Sequence, residues 1–145
     1  MRLYTIGFTK KGARDFFGIL KKHGIKHLLD IRINNTSQLS GYTKKDDLAY
    51  FTETILVGRY SHLFDLAPTA QLLKKYHKDH DWQYYERIYL ELIKERKVES
   101  RLDRSLFEGP SVLLCTEPTA DHCHRRLAAQ YIKEKMLPEI EIIHL

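Results

Sequence analysis

The chain has 145 residues, a length typical of one domain, which can bury enough apolar surface to fold without disulfides or a structural metal. Its 24 Lys and Arg residues outnumber its 19 Asp and Glu residues, and the net charge of +5 at pH 7 permits an anionic small molecule, a nucleotide or a nucleic acid as partner. No apolar run is long enough to cross a bilayer and no signal-peptide core opens the chain, so we expect a cytoplasmic protein with reduced thiols and no membrane partner.

In the first half of the chain, strand patterns alternate with helix patterns. RLYTIGF predicts a first strand that ends at Gly7, and GARDFFGILKKHG predicts a helix with Ala13, Phe16, Phe17 and Leu20 on its inner stripe. IKHLLDIR predicts a second strand, and INNTSQLSGY is rich in turn formers and predicts a loop. A second helix is expected over TKKDDLAYFTETIL, where Thr43 and Asp46 have the spacing of a capping box.

The same alternation continues to the end of the chain. RYSHLF predicts a third strand that ends at Asp65, and a helical region follows in which the aromatic stripe Trp82, Tyr85 and Tyr89 is interpreted as core or as an interface. SVLLC predicts a fourth strand, ADHCHRRLAAQYIKEKML a helix, and EIEIIHL a last strand. The pattern therefore predicts a single α/β domain over residues 1–145, with three layers, a mainly parallel sheet of about five strands and helices on both faces.

Polar residues follow the predicted strands at their carboxyl ends. In an open parallel sheet these ends meet at one edge, where ligands bind. The residues expected there are Thr5, Gly7, Thr9, Asp30, Arg32, His62, Asp65, Cys115 and Glu117. We therefore expect a functional site at this edge, contributed by four separate segments.

The only two cysteines of the chain lie at this edge. Cys115 ends the fourth strand, and Cys123 lies four residues before Leu127, which places it on the inner face of the predicted helix. The two thiols can therefore approach each other near a helix N-terminus, where a thiolate or a bound anion is stabilised. Arg126 is expected to face water and Arg125 to lie at an intermediate position.

Four interpretations of the cysteines stay open at this point. They are a redox or disulfide pair, a metal site formed by Cys115, His122, Cys123 and His124, two small buried apolar side chains, and an anion-binding or nucleophilic site with Arg32 and Arg125. The Cys-x5-Arg pattern of tyrosine phosphatases, the P-loop and G-x-G-x-x-G are all absent. Asp30 and Arg32 lie on the same side of one strand and can form an ion pair, and Asp30 with Glu117 is a possible acid/base couple.

At these residues the sequence resembles the prokaryotic family named domain of unknown function 488. The shared motifs are Thr5-Ile6-Gly7, Asp30-Ile31-Arg32, Leu113-Leu114-Cys115-Thr116-Glu117 and Cys123-His124-Arg125. The resemblance implies an α/β fold and a site formed by Asp30, Arg32, Cys115, Glu117, Cys123, His124 and Arg125. It implies no particular reaction.

The leading hypothesis is a small enzyme that acts on a phosphate-bearing or other anionic ligand. In it, Arg32 and Arg125 bind the anion near Thr5 and Gly7, Cys115 or Cys123 is the nucleophile or redox centre, and Asp30, Glu117 or His124 moves protons. The alternatives are a nucleic-acid-binding module without catalysis and a Cys/His metal site. The sequence specifies no cofactor and no oligomeric state.

Overall fold

The computed structural model describes residues 1–145 and contains one sheet of five parallel strands. The strands are β1 (Arg2–Gly7), β2 (His27–Asp30), β3 (Arg59–His62), β4 (Ser111–Cys115) and β5 (Glu141–His144). Their order in the sheet is β3-β2-β4-β1-β5. The α/β class and the parallel sheet predicted from the alternating pattern are confirmed, and the strand order comes from the structure alone.

Six α-helices cover the two faces of the sheet. They are α1 (Ala13–Lys22), α2 (Lys45–Leu56), α3 (Ala70–Asp79), α4 (Trp82–Glu95), α5 (Val98–Arg101) and α6 (His124–Lys135), with 3₁₀ helices at Gln38–Thr43, Phe64–Leu66 and Arg104–Phe107. None of these helices combines the length and the apolar character that crossing a membrane requires.

The sheet separates two apolar cores. Helices α1 and α2 pack on the face that carries Ile6, Leu28 and Leu114, whereas α4 and α6 pack on the face that carries Leu29 and Leu113. Because side chains alternate between the faces of a strand, Cys115 belongs to the α6 face and Asp30 to the α1/α2 face. This alternation divides the predicted site residues into two groups.

Several predictions about the helices and strands are wrong. Ala13 is exposed, and β3 ends at His62 because a 3₁₀ turn follows it. Thr43 does not cap α2, since its hydroxyl donates to the Ser40 carbonyl (2.7 Å). Helix α6 begins only at His124, with Cys123 as its extended N-cap residue, and Cys123 is buried in the same core as Leu127, as expected.

Candidate thiol–arginine site

Arg125 is the centre of the site and is completely buried, although the sequence suggests an intermediate position. Its Nη1 donates to Cys115 Sγ (3.2 Å), to the Glu117 carbonyl oxygen and, at 3.9 Å, to Cys123 Sγ. Its Nε donates to Thr5 Oγ1 at 3.2 Å. Nη2 is buried and has no hydrogen-bond partner. A buried cation with an unpaired N–H group is costly, so Nη2 is the one donor of Arg125 that the protein leaves unsatisfied.

Residues of β1 shape the floor of the site. Gly7 pairs with Cys115 in the sheet, and a Cβ at position 7 would overlap the Glu117 carbonyl and lie 2.7 Å from Arg125 Nη1. Glycine is therefore required for the close approach of the arginine to the strand. Thr5 Oγ1 also lies 2.6 Å from Nδ1 of His144 on the edge strand β5.

The two cysteines have different protonation preferences. Burial raises the pKa of the Cys115 thiol, but the neighbouring Cys123 thiol and the guanidinium of Arg125 together outweigh burial, so the pKa of Cys115 is lowered. Burial and the neighbouring Cys115 thiolate raise the pKa of Cys123 well above its usual value. Of the two thiols, Cys115 is therefore the one that loses its proton more readily.

A second cation lies near the thiolate. Partial burial and the charge of Arg125 lower the pKa of Lys11, and Cys115 acts in the opposite direction, so the lysine is within electrostatic reach of both. Lys11 lines an open cleft of about 450 Å³ together with Lys10, Tyr42 and Thr116, the residue that follows Cys115. The cleft therefore brings two lysines next to the tip of β4.

Asp30 and Arg32 form a separate cluster on the α1/α2 face. The Arg32 guanidinium donates two hydrogen bonds to the Asp30 carboxylate, both 2.8 Å long, and the Tyr60 hydroxyl donates a third of 2.6 Å. Burial raises the pKa of Asp30, but Arg32 and Tyr60 more than reverse this effect, so the pKa of Asp30 lies below its usual value. The predicted ion pair is present.

The expectation that Arg32 joins Arg125 at the cysteines is wrong. Arg32 Nη1 and Nη2 also donate to Oγ1 and the carbonyl oxygen of Thr43, so the guanidinium bonds to Asp30 and Thr43 and makes no hydrogen bond to either cysteine. The expected Asp30–Glu117 couple is not formed either. The Glu117 side chain is exposed, and only its carbonyl oxygen belongs to the thiol site.

The remaining predicted residues lie at the margin of the site. Nε2 of buried His124 lies 2.8 Å from the Ile31 carbonyl, and burial lowers the pKa of this imidazole to about 4. The ring of His122 stacks on Trp82 at 5.1 Å, and half-buried Arg126 lies over the same indole at 5.8 Å rather than facing water. The structure contains no group of three or more His, Cys, Asp or Glu side chains arranged to hold a metal ion.

Two residues near the site, Lys11 and His144, are not among those that the sequence predicts for it. Lys11 follows β1 in the same loop as Thr9, so its position just after a strand end is a sequence signal that could have identified it. His144 reaches the site only because β5 pairs with β1 in a register that sets Thr5 opposite His144. No local sequence signal specifies that register.

Comparisons with known proteins agree with the motif resemblance. The family model described as "Domain of unknown function DUF488" matches residues 12–132. This range includes Asp30-Ile31-Arg32, both cysteines and Arg125, and it begins after β1 and Gly7. Comparison with curated proteins and with solved structures gives no match.

Proposed function

Because the chain belongs to the DUF488 family, whose description assigns no reaction, we propose a function from the site itself: a cysteine-dependent enzyme that acts on a phosphate-bearing anion. Cys115 is the nucleophile and Arg125 binds the anion beside it. The observation that carries the proposal is the buried guanidinium of Arg125, which contacts the Cys115 sulfur and keeps one nitrogen without a partner.

The charges near Cys115 support an anionic substrate. Lys11 and Arg125 are both cations, and the Cys115 thiolate offsets only one of them. An anion that enters through the cleft beside Thr116 reduces the repulsion between the two cations. Its oxygens supply the acceptor that Arg125 Nη2 lacks.

Access to Cys115 requires a local movement, because the side chain is only 1% exposed. The segment 116–122 follows Cys115 directly and has no helix or strand; it is anchored by the bonds from Arg125 to the Glu117 carbonyl and from Thr9 to the Thr116 carbonyl. An anion is a stronger acceptor for a guanidinium than a carbonyl oxygen. In the proposed mechanism the substrate therefore replaces the Glu117 carbonyl on Arg125, and this exchange releases the segment and exposes Cys115.

The chemical step uses the two thiols. The Cys115 thiolate attacks phosphorus, an S–P bond forms, and the bond from phosphorus to the leaving oxygen breaks. Cys123, whose sulfur contacts the same Arg125 nitrogen as Cys115, is the proton donor for the leaving oxygen in this scheme. Water then hydrolyses the thiophosphate and restores the thiolate. His124 is neutral, buried and bound to the Ile31 carbonyl, so it takes no part in this scheme.

Binding is tested by calorimetric titration with inorganic phosphate. Lys11→Gln is expected to weaken binding about tenfold, equivalent to about 1.4 kcal/mol. The matched control is Lys22→Gln, which removes the same charge at the exposed opposite end of α1 and is expected to leave the affinity unchanged. Equal effects of the two substitutions, or no binding of phosphate to the wild type, would contradict the proposed anion site.

Catalysis is tested with p-nitrophenyl phosphate as the probe. Release of nitrophenolate by the wild type and its loss in Cys115→Ser are expected, with phosphate binding retained in the variant. Turnover that persists in Cys115→Ser would exclude this residue as the nucleophile. Absence of turnover in the wild type would exclude a general phosphomonoesterase activity at this thiolate.

A further inference from the structure

The two sulfur atoms are held together by the same guanidinium nitrogen. Arg125 Nη1 lies 3.2 Å from Cys115 Sγ and 3.9 Å from Cys123 Sγ, so one nitrogen contacts both sulfur atoms. The seven residues between the cysteines contain no helix or strand. A bond between the sulfurs therefore requires adjustment of this segment and of the extended N-cap residue, and it leaves the sheet and helix α6 in place.

The two positions also differ in chemical role. Cys115 lies at the end of a central strand next to Arg125, which stabilises negative charge on its sulfur. Cys123 has the longer contact with Arg125, and burial and the neighbouring Cys115 raise the pKa of its thiol well above its usual value. A redox-active cysteine pair requires this difference: one sulfur attacks the oxidant, and the other then attacks the oxidised sulfur to form the disulfide.

We infer that Cys115 and Cys123 form a dithiol centre that reduces small hydroperoxides. This activity rests on the proposed function in one respect, since both assign the reactive thiolate to Cys115. The thiolate attacks one oxygen of the peroxide, an S–O bond forms, and the O–O bond breaks. The leaving hydroxide takes a proton and becomes water, and Arg125 Nη2, which has no protein acceptor, is available to bind it.

The second step closes the disulfide. The sulfur of Cys123 attacks the sulfenic sulfur of Cys115, an S–S bond forms, and the S–O bond breaks. The hydroxyl group leaves as water with the proton of Cys123. In total, two thiols and one hydrogen peroxide give one disulfide and two waters, and the two sulfurs supply the two electrons. A small dithiol reductant restores both thiols by two thiol–disulfide exchanges.

Burial selects the oxidant. Cys115 and Cys123 are 1% and 3% exposed, so a small neutral oxidant has an advantage over a bulky one. Hydrogen peroxide is therefore the expected substrate, and cumene hydroperoxide is expected to react more slowly.

The disulfide also consumes the nucleophile, so oxidation stops the anion chemistry until the pair is reduced.

The experiment follows fully reduced protein during treatment with hydrogen peroxide. Denatured intact mass is expected to show loss of two hydrogen atoms, with both thiols blocked to alkylation and the protein still monomeric without reductant. Cys123→Ser is expected to stop at a sulfenic acid on Cys115, trapped by dimedone, and Cys115→Ser to leave Cys123 reduced. Arg125→Lys should slow oxidation about tenfold or more, whereas exposed Arg14→Lys should not.

Two outcomes would overturn the inference: a wild type that oxidises no faster than the urea-unfolded chain, or a Cys115→Ser variant in which Cys123 oxidises at the wild-type rate. Comparison with the unfolded wild type needs no variant to fold. Phosphate titration of Cys123→Ser separates the two proposals, since this variant cannot form the disulfide but keeps Lys11 and Arg125. Retained phosphate binding without disulfide formation in the wild type would leave the anion site intact and remove the peroxide activity alone.

Discussion

The buried imidazole of His124 makes the stability of the protein depend on pH. Its Nε2 lies 2.8 Å from the Ile31 carbonyl, its ring meets Tyr89 edge-on at 5.5 Å, and the Arg125 cation is nearby. Burial is the largest effect on the pKa of His124, and it disfavours the charged form, as does the Arg125 cation. The Ile31 carbonyl and Asp30 favour the charged form but do not offset burial. The net result is a pKa that falls from 6.5 to about 4 on folding.

The direction of the effect follows from proton uptake. As pH falls, the unfolded chain protonates His124 near pH 6.5 and the folded chain only near pH 4. The unfolded state therefore binds more protons in this interval, and the free energy of unfolding decreases as pH falls through it. The shift in pKa corresponds to about 3 kcal/mol between pH 7 and pH 4.

The assay is urea unfolding across this pH range for the wild type and for His124→Gln, whose amide can still donate to the Ile31 carbonyl. The wild type is expected to lose about 3 kcal/mol more than the variant as pH falls. Exposed His77→Gln is the control and should follow the wild type. If wild type and His124→Gln lost stability in parallel, the assignment of a neutral buried imidazole would be refuted.

Three further substitutions test the packing around the two polar clusters, each by urea unfolding. Gly7→Ala is expected to lower the free energy of unfolding by about 1–3 kcal/mol because its Cβ overlaps the Glu117 carbonyl. The control Gly18→Ala, which has open space around it, should raise the free energy of unfolding by about 0.5–1 kcal/mol. Similar stabilities of the two variants would contradict the close approach at Gly7. Asp30→Asn is expected to lose about 3–5 kcal/mol because it leaves a buried arginine without its counter-charge. Tyr60→Phe, which removes one hydrogen bond to Asp30, should lose about 2 kcal/mol, and a loss as large as that of Asp30→Asn would show that the ion pair is not the dominant contact.

The element pattern was accessible from the sequence because hydrophobic period and turn residues are local properties. All five strands were predicted, and four of them are short runs rich in apolar residues; β3, with the sequence RYSH, was predicted three residues too long. The boundaries were less accurate where a side chain had a distant partner. Thr43 has the spacing of a capping box, yet it accepts from Arg32 and donates to Ser40, and the helix begins without it.

The site was predicted only in part, for a related reason. Strand ends and helix starts placed Cys115, Cys123 and Arg125 in one region, and the structure brings their side chains together. The same reasoning placed Arg32 with them, because a list of strand ends does not distinguish the two faces of a sheet.

The sequence by itself determined the alternation of strands and helices, and with it the edge at which polar side chains collect. Only the tertiary structure decided that β4 lies between β2 and β1, and that Cys115 and Asp30 point to opposite faces. It also decided that Arg125 is the most deeply buried cation of the chain. The physical reason is that local patterns fix periodicity, whereas strand order, register and burial depend on contacts between residues far apart in the chain.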